Sequence, residues 1–292
     1  MDDLVQWWVY AVGSALFSTA FSLSRKRALL KMHSMNLEST RTLAIAFFCI
    51  FLIPFINLNI EPGVFFLIYG TSVLSTIGIL FASKALRHEA VSLIAPLSNL
   101  RPGIVAVLAF LFLGEILNTR KIIGIGVLVL AAYLLESDHH FSDFIAPIKH
   151  LMRDKYSKFF LFAIGLFGAL SVLNKYLVSN YVDIFTLYFL TWIFIAINFN
   201  LAHSWRYGFK DTINCFKELS YLPILIGGLS MIMNLLYLKA ISITYVSLVS
   251  PIVMLSTLFI VFIGGNFFHE KYIYFRFFVS ILMIAGAYLI II

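Results

Sequence analysis

Apolar residues run along this chain in ten long stretches, about 5–26, 40–57, 63–83, 90–113, 119–136, 158–179, 184–203, 219–240, 246–266 and 272–292. Each approaches the ~20 residues that carry an α-helix across a hydrocarbon core of about 30 Å. The runs are continuous rather than alternating, which argues against a transmembrane barrel of short strands. The pattern predicts an all-α polytopic membrane protein with ten transmembrane helices. The longest polar interruption, Ser137 to Ser157 (SDHHFSDFIAPIKHLMRDKYS), separates five spans from five. The expected organisation is a repeat at 1–136, a connector at 137–157 lying at the membrane interface, and a second repeat at 158–292. The first span is too long for a signal-peptide core, and Met1-Asp2-Asp3 offers no basic n-region, so that helix is expected to be retained.

The two halves repeat each other. Lys84 to Leu135 aligns without a gap on Lys239 to Ile290, at a constant offset of 155. Val91-Ser92-Leu93 falls on Val246-Ser247-Leu248, Pro96 on Pro251, Glu115 on Glu270, and Ala132-Tyr133-Leu134 on Ala287-Tyr288-Leu289. Ser75 falls on Ser230 at the same offset, and Leu23-Ser24-Arg25 falls on Leu173-Asn174-Lys175 at an offset of 150. Five spans per half force the second half to enter from the opposite side, so the repeats are predicted to be inverted.

Composition narrows the class. With 61% hydrophobic and 12% charged residues and a mean hydropathy of +0.97, the chain lacks the polar surface of a soluble domain. Its net charge of +7 suits a membrane protein beside anionic lipid and needs no nucleic-acid partner. Cys49 and Cys215 stand alone, without metal-ligand spacing, and read as structural thiols. A His-His pair at His139-His140 reads as part of a solvated loop rather than a metal site. No set of Asp, Ser-His or metal ligands falls within the spans, and no phosphate-binding glycine loop is present. No enzyme, cofactor or nucleotide-driven pump is therefore expected.

Each half opens with a small-residue helix ending in a basic residue. Each then carries an Ala-Leu/Ile…Val-Ser-Leu…Pro helix, an acidic residue after it (Gly114-Glu115, His269-Glu270), and a closing Gly/Ala-rich helix ending in Ala-Tyr-Leu. This arrangement resembles the paired EamA domains of the drug/metabolite transporter superfamily over essentially the whole chain. The resemblance implies ten helices, alternating access, and a substrate site between the halves. The chain departs from it at His269, where glycine is usual, and at Arg41, whose repeat position holds Thr191. Orientation is read in two ways. Basic residues near loops after odd-numbered spans (Arg25, Lys26, Arg27, Lys31, Lys84, Arg87, Lys149, Arg153, Lys155, Lys158, Arg206, Lys210, Lys217, Lys271, Arg276) outnumber Arg120, Lys121 and Lys239 on the other side. The positive-inside rule then places both termini outside, whereas the resemblance implies cytoplasmic termini.

Candidate chemistry centres on Arg101, in the middle of the fourth span and flanked by Pro96 and Pro102. A charge at that depth costs roughly 2.5–3.5 kcal/mol on insertion scales, so it must face a partner or a polar cavity. Each proline removes a backbone donor and weakens the helix beside it. Ser98, Asn99 and Arg101 are predicted to bind an anionic group. Polar stripes are expected to face the same cavity: Ser14, Ser18, Ser22 and Arg25 in span one, Ser75 in span three, and Gly168, Ser171, Asn174 and Lys175 in span six. Ser230, Asn234 and Tyr237 in span eight and Ser247 and Ser250 in span nine complete the set. Arg101, Arg25 and Lys175 make this site positive, and no Asp or Glu is expected at comparable depth. A cage from Tyr188, Trp192 and Tyr237 would instead favour a cation. Glu115 and Glu270 are expected to cap the helices that follow them. Trp7-Trp8 and the 272–278 aromatics are expected to form interfacial belts.

The reading is a secondary active transporter in the cell or inner membrane, moving a small polar metabolite (amino-acid-like, organic anion or zwitterion) by alternating access. A coupling ion or proton fits that scheme. One alternative is a carrier or flippase of a lipid-linked or sugar-phosphate headgroup; another is a membrane scaffold or receptor that transports nothing.

Overall fold

A computed structural model describes residues 2–29, 32–88, 97–136, 155–268 and 273–292. The described helices are α1 (Asp2–Leu29), α2 (Ser34–Cys49), α3 (Pro62–His88), α4 (Arg101–Leu113), α5 (Thr119–Glu136), α6 (Lys155–Asn180), α7 (Ile184–Tyr207), α8 (Phe209–Leu219), α9 (Leu222–Ile243), α10 (Val246–Val253), α11 (Leu255–Phe268) and α12 (Ile273–Ile291). Five segments are long and apolar enough to cross a membrane unaided: Ser34–Phe55, Pro62–Ala85, and α6, α7 and α9. The first of these ends in a 3-10 turn, Ile50–Phe55, where Pro54 removes a backbone donor. Large apolar side chains face outward on the flanks, as lipid allows; Phe66 and Phe112 are 71% and 74% exposed. Connector residues 137–154, with His139-His140, and Glu270 lie outside the described residues, while 155–157, expected as connector, already form the start of α6.

Local chemistry sets the helix ends. Asp183 caps α7 by accepting from the Thr186 amide at 2.9 Å. Gly114 ends α4 with φ of 66°, a left-handed conformation that costs glycine nothing. Pro223 sits in the first turn of α9, where its missing N–H is harmless.

The packing has the symmetry of an exchange of halves. α1 lies along α9, and α6 lies along α3; α2 pairs with α7, and α5 with α12. α1 also meets the broken span α10–α11, as α6 meets α4. The α5–α12 pair approaches closely: a Cβ on Gly124 would stand 2.9 Å from the Gly286 carbonyl oxygen. Small residues are what let membrane helices come that near.

Three expectations are corrected. Residues 209–218, left between two expected spans, form α8 with Leu219, and α8 packs Thr212, Cys215 and Leu219 against its neighbours at helical spacing. Trp7 is 4% exposed and belongs to the core, not to an interfacial belt. The third concerns Pro102, which does not break a helix: it lies in the first turn of α4, and the interruption falls just before it, at Asn99-Leu100.

Candidate functional site

Two interrupted spans frame a cavity of about 460 Å³ between the halves. In the first half the chain turns at Asn99-Leu100 and α4 restarts at Arg101. In the second, α10 ends at Val253, Met254 intervenes, and α11 starts at Leu255. Pro251 inside α10 weakens the helix just before that break. Ser98, Asn99, Arg101 and Pro102 line the cavity from one side, and Val253, Met254, Ser256 and Thr257 from the other. α4 therefore turns the positive end of its peptide dipoles toward the cavity. The Ser256 carbonyl at the second break accepts from Thr19 Oγ1 at 3.2 Å, so helix α1 satisfies it.

A buried ion cluster forms one wall. Glu38, 1% exposed, lies between two guanidiniums: Arg25 Nη2 and Arg41 Nη2 each stand 2.6 Å from one of its oxygens. Arg25 Nε and Arg41 Nε add bonds at 3.1 and 2.7 Å. Arg41 Nη1 also donates to Ser230 Oγ at 3.3 Å. The expectation that no acidic residue reaches this depth is thus overturned. The apolar reading began span two at residue 40, but α2 starts at Ser34 and carries Glu38 inside. Arg25 is accordingly a paired cation. The cluster of two arginines and one glutamate keeps a single positive charge in excess.

Arg101 stands differently. Its Nη2 donates to Ser171 Oγ at 2.8 Å, and its Cζ lies 5.8 Å from the centre of the Phe167 ring. Among the described residues no carboxylate lies within ion-pair distance of it, and its Nε is buried without a hydrogen-bond partner. Three hydroxyls of residues lining the same cavity share that condition: Tyr188 Oη, Thr191 Oγ1 and Tyr237 Oη. Buried polar atoms normally find partners, so four unsatisfied ones around one cavity mark where a ligand's polar groups fit. Of the expected aromatic cage, Trp192 already faces a cation of the protein itself, with the Arg41 guanidinium 5.2 Å from its ring centre.

The structure gathers thirteen of the seventeen residues expected to face this cavity: Ser98, Asn99, Arg101, Ser14, Ser18, Arg25, Ser75, Ser171, Asn174, Ser230, Asn234, Tyr237 and Ser250; Ser247 bonds Glu115 instead. Ser22 and Lys175 are not among its lining. A helix turns about 100° per residue, so steps of four drift by about 40° and leave Ser22 about 80° from Ser14, while Arg25 returns to within about 20°. Lys175 lies about 100° around α6 from Asn174 and lines a second chamber instead. Gly168 is also off the cavity face; a Cβ there would meet Ile104 Cγ2 at 2.9 Å. Missed by the sequence reading were Glu38, Arg41 as its partner, and Thr191. A signal for the pair existed: Glu38 and Arg41 stand three apart, which on a helix places them side by side.

The second chamber, about 480 Å³, lies beyond the central one along α6, α9 and α10, lined by Lys175, Lys121, Tyr176, Asn180 and Thr244 among others. At its boundary Glu115, 4% exposed, accepts from the Val246 and Ser247 amides at 2.9 and 3.1 Å and from the Ser247 hydroxyl. Glu115 is a cap, as expected, but of α10 in the other repeat rather than of the helix that follows it. At the far end of α7, buried His203 bonds Thr212 at 3.0 Å and Asn36 at 3.1 Å, which fastens α8 in place. No cluster able to hold a metal occurs among the described residues.

Comparison with known proteins gives a family and a fold. The model of the EamA-like transporter family matches residues 6–137 and again 156–292. A solved crystal structure superposes with a TM-score of 0.69 at 11% identity, over 97% of this chain and 96% of that one. Among curated proteins nothing matches.

Proposed function

Because the chain belongs to the EamA-like transporter family, and so is a multi-pass membrane transporter, we propose that it is a secondary carrier of a small anionic or zwitterionic metabolite, moved by alternating access. One observation carries the reading. Arg101 is a half-buried positive charge beside a helix break, on the lining of the central cavity, with no carboxylate within ion-pair distance among the described residues and a buried donor left over. In a low-dielectric site an unpaired charge is costly, and a ligand carboxylate or phosphate relieves that cost on binding. The ion cluster at Glu38 supports the reading by contrast, since there the protein neutralises its own arginine. The break in both proline-bearing spans gives the halves a place to bend around the ligand.

The test is Arg101→Gln, which removes the charge and leaves a shorter side chain that still carries a hydrogen-bonding amide. In reconstituted vesicles screened with anionic metabolites, the variant is expected to lose apparent affinity by about tenfold to a hundredfold, as 1.4–3 kcal/mol from a charged hydrogen bond implies. Unchanged affinity in a folded, inserted variant overturns the assignment. Movement of labelled lipid, with silence across soluble anions, would favour a headgroup carrier instead.

A further inference from the structure

We propose that the central cavity takes an elongated dianion, with one anionic group at Arg101 and the other at the Arg41 end. This rests on the carrier reading above and specifies the ligand that reading leaves open.

Charge is the first argument. Arg25, Arg41 and Arg101 are the charged residues lining the cavity among those described, and Glu38 offsets one of them. Two positive charges therefore remain on the lining of a cavity bounded largely by protein. A monoanion leaves one of them uncompensated; a dianion leaves none.

Position is the second. The unsatisfied atoms fall at two poles rather than one. Arg101 Nε and Tyr237 Oη belong to the first, where Tyr237 lies within electrostatic reach of Arg101. Tyr188 Oη and Thr191 Oγ1 belong to the second, on the face of α7 that also carries Trp192, the ring against Arg41. α9 measures the gap between them. Arg41 bonds Ser230, and Tyr237 is seven residues farther along the same helix, about 10 Å at 1.5 Å per residue. A compact anion cannot touch both poles. A chain with an acidic group at each end can, and a cavity of about 460 Å³ is within the size of small-molecule sites.

Binding is tested on the purified, detergent-solubilised protein by ligand-induced thermal shift. The probes are α,ω-alkanedioates from succinate to sebacate, the monocarboxylates of matching length, and carboxylated phosphate monoesters. A dianion of optimal length is expected to bind at least tenfold more tightly than the matching monoanion. Tyr188→Phe combined with Thr191→Val removes only two hydroxyls that bond nothing in the protein, so the fold is unaffected. That variant is expected to bring the dianion down to the monoanion's affinity while leaving the monoanion unchanged. Equal affinity for mono- and dianions, no dependence on length, no effect of the α7 variant, or no binding by any dianion in the panel overturns the inference. If Arg101→Gln weakens every anion while the α7 variant changes nothing, the dianion inference falls and the carrier reading stands. If Arg101→Gln changes nothing either, both fall.

Discussion

Glu38→Gln isolates the contribution of the buried carboxylate that pairs with Arg25 and Arg41. The substitution keeps the side-chain shape and an acceptor oxygen, but leaves two guanidiniums facing each other without a counter-charge. Glu38 and the Arg41 side chain are 1% and 5% exposed, so water screens little of that repulsion; Arg25, at 20%, retains some solvent contact. Removing one partner of a buried pair costs about 3–5 kcal/mol, and the Arg25 exposure argues for the lower end. A domain of this size shifts Tm by roughly 2–4 °C per kcal/mol, so a fall of about 6–12 °C is expected in detergent by intrinsic fluorescence. The double variant Glu38→Gln/Arg41→Gln restores the original excess of one positive charge and should recover at least half of the loss. A Glu38→Gln protein melting within about 2 °C of the wild type, or a double variant no better than the single, refutes the electrostatic account of the cluster.

Three further outcomes follow from the packing. Gly124→Ala places a Cβ against the Gly286 carbonyl at 2.9 Å and is expected to destabilise by about 1–3 kcal/mol in a thermal melt, whereas Gly126→Ala, with nothing within 4 Å, should be silent. Glu115→Ala removes three bonds from the start of α10 and should cost about 1–2 kcal/mol by the same measurement. Burial raises the Cys215 thiol above the ordinary cysteine range, which lowers its thiolate fraction at neutral pH. Maleimide labelling of Cys215 in folded protein should therefore be slow near pH 7, accelerate as pH rises, and become fast on denaturation; fast labelling of the folded protein at neutral pH contradicts the burial of α8.

The fold was largely readable because a bilayer imposes one rule on every span, and a duplicated chain states each element twice. Hydropathy did less well where charge is internal. Span two seemed to begin at residue 40 because Glu38 read as polar flank, yet it pairs with Arg41 inside the helix bundle. α8 escaped notice because its apolar positions, Cys215 and Leu219 among them, are spread through a charged segment that hydropathy averages away. At the site, Arg101 and the polar stripes could be named from spacing alone, since an isolated cation in an apolar run has few places to go. The boundary between two chambers could not. Asn174 and Lys175 are neighbours in sequence, and only the turn of α6 sends one to the central cavity and the other to the second.

The Glu115 carboxylate has a mechanical consequence. It belongs to one repeat and grips the first turn of a helix in the other, in a place that water barely reaches. The halves are thus not free to part at that end as two smooth bodies. A charged group released from three donors has to be rehydrated at once, so opening there is coupled to the entry of water molecules rather than to side-chain rearrangement alone. In the alternating-access cycle proposed above, wetting would then be the gatekeeping event, and osmotic stress, which withdraws water without touching the ligand, is expected to act as a brake at that end.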